Sequence, residues 1–216
     1  MRTLSELINT DNPGIELINK WVKEAENDYN ILPPSINRED ALYKTQVSTG
    51  STMGAIIYDT GGIIINHGWL RFLGSGHNKL SRILPEWNDG RAEGFLLVAD
   101  DAVGGFFAIN AGVFGEDIKS MYYWAPDNLE WEPLQIGFTD FFRWSLTSKL
   151  SDFYQDLRWP SWKEDIKDLH GDSCFAFYPF LWTEQGSVIE SHRKIIPVSE
   201  VFDLKTDFIR QLKKKE

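Results

Sequence analysis

Phe95-Leu96-Leu97-Val98-Ala99-Asp100-Asp101-Ala102-Val103-Gly104-Gly105-Phe106-Phe107-Ala108-Ile109 holds two apolar runs parted by a turn sequence. Neither run alternates between apolar and polar residues, so both faces of both strands are expected inside, which puts the pair at the centre of a sheet. The segment from Asp100 to Gly105 turns between them, and its paired glycines supply backbone angles that a side chain resists. Phe106 and Phe107 are neighbours in a strand and are therefore expected on opposite faces, both buried. Asp100 and Asp101 read as solvated turn residues; no alternating Asp-x-Asp-x-Asp-Gly loop surrounds them as a calcium site would require.

Outward from this hairpin, Met121-Tyr122-Tyr123-Trp124 and the run from Leu129 to Ile136 flank the turn Pro126-Asp127-Asn128, a second hairpin in which Tyr122, Trp124 and Trp131 are placed for cross-strand contacts. Upstream, Ala55-Ile56-Ile57-Tyr58 and Ile63-Ile64-Ile65 flank Thr60-Gly61-Gly62. This suits either a hairpin or a short helix stopped by glycine and followed by a strand. The N-terminal part reads as helical: Thr3 and Glu6 make a capping-box pattern, Asn12-Pro13 opens a helix carrying Ile15, Ile18, Val22 and Ala25, and Asn37 to Gln46 is a weaker candidate after the break at Pro33-Pro34. On the C-terminal side, Thr139 is placed to cap a helix through Phe142 and Leu146. Pro160 is placed to start one carrying Trp162, Ile166 and Leu169 and closed by Gly171, and Ser199 to cap a last helix with Val201, Leu204, Phe208 and Leu212 on one face. The expectation is a single α+β domain over 1–216, a mainly antiparallel sheet covered by helices, with 1–48 as a helical extension and 49–216 as sheet core and C-terminal helices.

The 216 residues are 42% hydrophobic and 14% aromatic, enough apolar surface to offset chain entropy. A net charge of −10 repels phosphate backbones and anionic lipid, so neither nucleic acid nor a membrane is an expected partner, whereas a basic protein is attracted. The run Lys213-Lys214-Lys215 reads as the solvated, dipole-compensating end of the last helix. The N-terminal residues Met1 to Glu6 lack an apolar leader and no stretch has membrane-spanning length, which points to the cytoplasm. The single cysteine, Cys174 in Ser173-Cys174-Phe175-Ala176-Phe177, fits a reducing compartment and reads as a small packed hydrophobe.

The residues that carry chemistry form no complete set. Asp59-Thr60-Gly61 after Ile56-Ile57-Tyr58 has the context of an aspartic protease, whose two carboxylates share a proton; one copy per chain leaves a homodimer to supply the second. His67, His77, His170 and His192 show no zinc-binding spacing, although His67 and His77 flank one glycine-rich segment, and His170 is placed to compensate a helix C-terminus. Leu73-Gly74-Ser75-Gly76 misses the nucleophile elbow, because Leu73 stands where its first glycine belongs. Trp124, Trp131, Trp144, Trp159 and Trp162 cluster in one stretch and suit core packing, a protein interface or a stacking platform for a sugar. No catalytic residue, cofactor or metal ligand is assigned.

The glycines and aromatics do form a recognisable order. Gly61-Gly62, His67-Gly68-Trp69-Leu70-Arg71 with Gly74-Ser75-Gly76, Ala99-Asp100-Asp101 with Gly104-Gly105-Phe106-Phe107, Tyr122-Tyr123-Trp124 and Phe138-Thr139-Asp140-Phe141-Phe142 together resemble an uncharacterised bacterial family of domains of unknown function, affiliated with the SUKH superfamily. The part from Val98 to Trp144 looks most like SUKH, while Leu84-Pro85-Glu86-Trp87 comes later than that pattern places its Leu-Pro. The resemblance implies binding rather than catalysis: many SUKH proteins are immunity proteins that bind and block toxins. The functional expectation is a cytoplasmic protein-binding module that neutralises a basic toxin; the alternatives are an aspartic-type hydrolase formed by a dimer through Asp59, and carbohydrate binding by the tryptophans.

Overall fold

A computed structural model describes residues 1–213. The chain opens with α1 (Leu4–Leu7), α2 (Gly14–Lys23), β1 (Tyr29–Leu32), α3 (Arg38–Thr45), α4 (Thr52–Asp59), β2 (Gly62–Ile65) and β3 (Leu70–Leu73). It continues through α5 (Leu84–Asn88), β4 (Phe95–Asp101), β5 (Phe106–Asn110), β6 (Ser120–Trp124) and β7 (Glu132–Gly137). It closes with α6 (Phe138–Ser145), α7 (Lys149–Phe153), α8 (Trp162–Ile166), β8 (Ser173–Tyr178), β9 (His192–Pro197) and α9 (Val198–Lys213). Strands β1 to β7 pair in chain order, every pair antiparallel, and β8 and β9 form a separate two-stranded sheet. The fold is α+β with an antiparallel sheet, and β4 is its central strand.

Register sorts the side chains onto two faces. Phe72, Ala99, Phe107 and Tyr123 stand opposite one another across β3 to β6, and so do Arg71, Asp100, Phe106 and Trp124. The first row packs against the aromatic side of α6: Phe72 meets Phe141 and Phe142 at 5.3 and 5.2 Å, and Phe107 meets Phe141 at 4.6 Å. The second row packs against α5 and α9, where Phe202 lies 5.1 Å from Phe106, 5.8 Å from Trp124 and 6.3 Å from Trp87. Phe106 and Phe107 are both fully buried, on opposite faces as their adjacency requires.

Several boundaries differ from those the sequence suggests. The stretch 1–48 is not wholly helical, because Tyr29–Leu32 adds edge strand β1 to the sheet just before the Pro33-Pro34 break. Ala55-Ile56-Ile57 belongs to a helix: Ser51 caps it by accepting from the Gly54 N–H at 3.1 Å, and all three side chains are buried. Thr139 lies inside α6 and its hydroxyl meets that of Thr52 at 3.0 Å; α9 starts at Val198, whose N–H bonds the Asp172 carbonyl, so Ser199 is not its cap. Helix α8 begins two residues after Pro160 and ends at Ile166, short of Gly171. Of the basic run, Lys213 ends α9, and Lys214 and Lys215 lie outside the described residues.

Candidate functional site

Asp100 and Asp101 are not solvated, as turn chemistry alone suggests. Strand β4 runs through both, so one points to each face of the sheet, and they are 1% and 0% exposed. Burying a carboxylate is costly unless it is paired and hydrogen-bonded, and each has its own set of partners. Asp100 takes Nε of Arg71 at 2.8 Å and the Arg71 Nη2 on one oxygen, and Nη1 of Arg82 at 2.6 Å on the other. Arg82 reaches on to Asp172 at 3.1 Å and to the Gly171 carbonyl at 2.7 Å, stacking over Trp87, and Ser81 closes the chain by donating to Asp172. This ladder ties β3, β4, the segment before α5 and the start of β8 together.

On the other face, Asp101 accepts four hydrogen bonds: from the backbone N–H of Val103 (3.0 Å) and Gly105 (2.7 Å), and from the hydroxyls of Tyr123 (2.7 Å) and Tyr154 (3.1 Å). Burial pushes its carboxyl above the usual range, against the pull of the Tyr123 hydroxyl, the Gly105 amide and Arg71. Burial first and the Asp101 charge second hold both phenols well above their ordinary pKa, so they remain donors. Gly105 is needed for close approach: a Cβ there would lie 2.2 Å from Asp101 Oδ2 and 2.5 Å from the Tyr123 hydroxyl.

Lys205 of α9 is also buried, 0% exposed; its ammonium donates to the carbonyls of Ala125 (2.6 Å) and Trp124 (3.4 Å) and sits 4.4 Å from the centre of the Trp124 indole. Burial pushes its pKa down to about 7, against the pull of Asp101 and Asp127. Lys205 also borders a small apolar hollow of about 20 Å³ between α9 and the chain following β8; Gly104, Pro126, Ala176, Phe180 and Trp182 are among its walls. Cys174 lies beneath, buried, its thiol pushed up to about 12 by burial, which bears out its reading as a packed hydrophobe. A lysine whose folded-state pKa is depressed binds fewer protons than the unfolded chain above about pH 7, so folding stability rises with pH from there. Above pH 9 the raised Cys174 thiol acts oppositely, since the unfolded chain then loses a proton the folded one keeps. Urea denaturation between pH 7 and 9 is expected to show stability rising in the native protein and a flatter profile in Lys205→Met; parallel profiles would mean that Lys205 stays fully charged in the fold.

The other sequence candidates are scattered. Asp59 is the last residue of α4, not a turn after an apolar strand; burial raises its pKa against the pull of Arg38. Ser75 is buried, donating to the Thr60 carbonyl and accepting from the Ser35 N–H, and so braces the loops around β2. His67 lies 3.4 Å from Asp28 and shares a polar groove with His170 rather than with His77. His170 sits beyond the end of α8 and bonds the Asn78 carbonyl at 2.8 Å, so it does not compensate a helix C-terminus. No group of three or more metal-binding side chains comes together among the described residues. The five tryptophans separate: Trp124 and Trp159 are 2% exposed, Trp124 pairs with Trp131 at 5.3 Å, and Trp162 packs with Trp69 around the Arg158 guanidinium. Among the described residues no helix is long and apolar enough to cross a membrane.

Arg71, Arg82, Asp172, Tyr154 and Lys205 are the residues of the buried networks that sequence patterns passed over. Two carried a signal: Arg71 interrupts the apolar run Leu70–Leu73, and Lys205 falls one helical turn from Val201 on the apolar side of α9.

A family model described as a protein of unknown function, DUF2625, matches residues 4–201, which takes in the sheet, both carboxylate networks and the start of α9. The chain belongs to the DUF2625 family. Its relatives are bacterial. It is 40% identical over 211 residues to the putative uncharacterized protein YbfG of Escherichia coli, covering 94% of this chain and 95% of that one. It is 38% identical over 202 residues to an uncharacterized protein of Haemophilus influenzae, covering 90% and 89%. The DUF2625 match thus spans both sheets and every helix before α9 rather than a local motif.

Proposed function

We propose that this DUF2625 protein is a cytoplasmic protein-binding module of SUKH type that captures a basic protein, in the manner of an immunity protein neutralising a toxin. The observation that carries the reading is the distribution of charge. In formal charge Arg71 and Lys205 offset Asp100 and Asp101, the charged residues buried with them, so the formal net charge of −10 is carried by the residues outside the core. A surface of one predominant sign steers an oppositely charged protein and accelerates encounter. The reactive side chains support the same reading, because Asp101, Tyr123, Tyr154, Arg82 and Asp172 spend their hydrogen bonds on each other and on the backbone. The likeness of Val98 to Trp144 to SUKH proteins adds a functional class by analogy of fold.

The experiment is crosslinking capture in a host bacterium that encodes the protein, followed by reconstitution from purified components. The expected result is a stable complex with a basic protein, an association rate that falls as salt rises, and relief of that protein's toxicity on co-expression. A complex that fails to re-form from the purified pair, or one whose association ignores salt, overturns the reading.

A further inference from the structure

Residues of α2, α6 and the turn after α6 enclose a cleft of about 330 Å³, with Trp21, Glu24, Asp140, Arg143, Trp144 and Lys149 among its walls. Its size falls at the lower end of small-molecule sites, about 300–1,000 Å³. The walls are fixed from behind. The Glu26 N–H bonds the Leu146 carbonyl at 2.8 Å, and the Asn27 amide donates to the carbonyls of Ser145 (3.0 Å) and Thr147 (2.7 Å), which pins the turn after α6 to the segment after α2. Trp21 is backed by Phe142 at 6.3 Å, and Trp144 by Phe141 at 5.9 Å and by Phe153 at 5.2 Å. Both indoles are half-buried and line the cleft. A site held in place before its ligand arrives loses little freedom on binding.

Four exposed charges stand around the indoles, Glu24 and Asp140 against Arg143 and Lys149. The signs balance, yet among the described residues none of the four is in an ion pair within 4.0 Å. Arg143 instead lays its guanidinium 5.4 Å from the centre of the Trp21 ring. A net anion or cation would meet as much repulsion as attraction here. Charges of both signs beside aromatic carbon suit a ligand that has no net charge, many hydroxyls and an apolar face. A sugar ring has that composition: its hydroxyls donate to carboxylates and accept from guanidinium and ammonium groups, and its C–H face lies on an indole.

We propose that this cleft binds a neutral pyranose, its C–H face against Trp144 or Trp21 and its hydroxyls on Glu24, Asp140, Arg143 and Lys149. Of the tryptophans that cluster in the sequence only Trp144 takes part, and α2 supplies the second indole. The proposal does not draw on the protein-binding reading, and neither stands or falls with the other.

The test is titration of the full-length ¹⁵N-labelled protein with the methyl pyranosides of glucose, galactose, mannose and N-acetylglucosamine, and with glucosamine, gluconate and uridine as charged and flat-ring controls. At least one neutral pyranoside is expected to shift the indole Nε1–H signals of Trp21 and Trp144 saturably, with a Kd of about 1 mM. Its binding should weaken about tenfold in Trp144→Ala and about fivefold in Asp140→Ala. Asp140 is exposed and unpaired, so the second variant keeps the test decisive even if Trp144→Ala does not fold. The proposal is overturned if no neutral pyranoside gives a saturable shift up to about 50 mM, or if the shifts saturate elsewhere and leave both indoles unmoved. Unchanged affinity in Asp140→Ala overturns it too. Gluconate or glucosamine binding as tightly as the neutral sugars would assign the cleft to an ion, and tighter binding of uridine would assign it to a flat base; either result likewise overturns it.

Discussion

Asp101→Ala is expected to lower the free energy of unfolding by about 4 kcal/mol, among the larger losses a single substitution produces. The carboxylate accepts from two backbone amides and two phenols in a region with no solvent contact. Removing it strands the N–H groups of Val103 and Gly105 and both hydroxyls, and each stranded buried donor costs about 1–3 kcal/mol unless water enters to replace the lost acceptor. Asp101→Asn should cost about 2 kcal/mol. Its amide oxygen can keep the two backbone bonds, but its NH₂ then faces two hydroxyls that must turn round to accept. Were Asp101 an exposed turn residue, both changes would fall within about 0.5 kcal/mol of the native protein. Urea denaturation of the two variants separates these outcomes: a midpoint near the native value in Asp101→Ala would show that the carboxylate is not the organising acceptor of the β4–β5 turn.

The difference between the two accounts of Asp101 shows what is legible in a single sequence. Continuous apolar runs before and after the turn carry information about both faces of β4 and β5, and the structure buries both as that pattern requires. The aspartates between the runs carry no such local mark. Their partners come from elsewhere in the chain, Arg71 in β3, Arg82 before α5 and Tyr154 after α7, and propensity assigns a polar pair beside Gly-Gly to solvent because it cannot see them. The same limit explains Ala55-Ile56-Ile57. A short apolar run fits a buried strand and a buried helix equally, and the deciding feature is the Ser51 cap just upstream. Strand β1 was hidden by Pro33-Pro34, since a break was legible and the edge strand before it, with one buried residue in four, was not. For the candidate site, Lys205 was the readable clue, a lysine at a core-facing position of an amphipathic helix; the hollow beside it was not readable, because its walls come from three turns, a strand and a helix.

Phe106→Ala and Phe107→Ala are each expected to cost about 3–5 kcal/mol, the range for deleting a fully buried aromatic side chain and leaving a cavity. Both rings are 0% exposed, but they occupy separate halves of the core. Phe106 touches Trp124 and Phe202 on the α9 side; Phe107 stacks on Tyr123 at 4.4 Å and meets Phe141 and Phe153 on the α6 side. Residues adjacent in sequence ordinarily couple, yet these two share no aromatic neighbour and the sheet lies between them, so their losses should add to within about 0.5 kcal/mol. The sum then approaches or exceeds the whole stability of an ordinary domain, about 5–15 kcal/mol, and the double variant should fail to unfold cooperatively in urea. Phe107→Ala carries a further consequence, because the ring stacked on Tyr123 helps hold that hydroxyl on Asp101. Combined with Asp101→Ala it should therefore cost less than the two separate losses together, whereas Phe106→Ala combined with Asp101→Ala should cost their sum. Equal coupling of both phenylalanines to Asp101 would mean that the two faces of the sheet do not behave as separate cores.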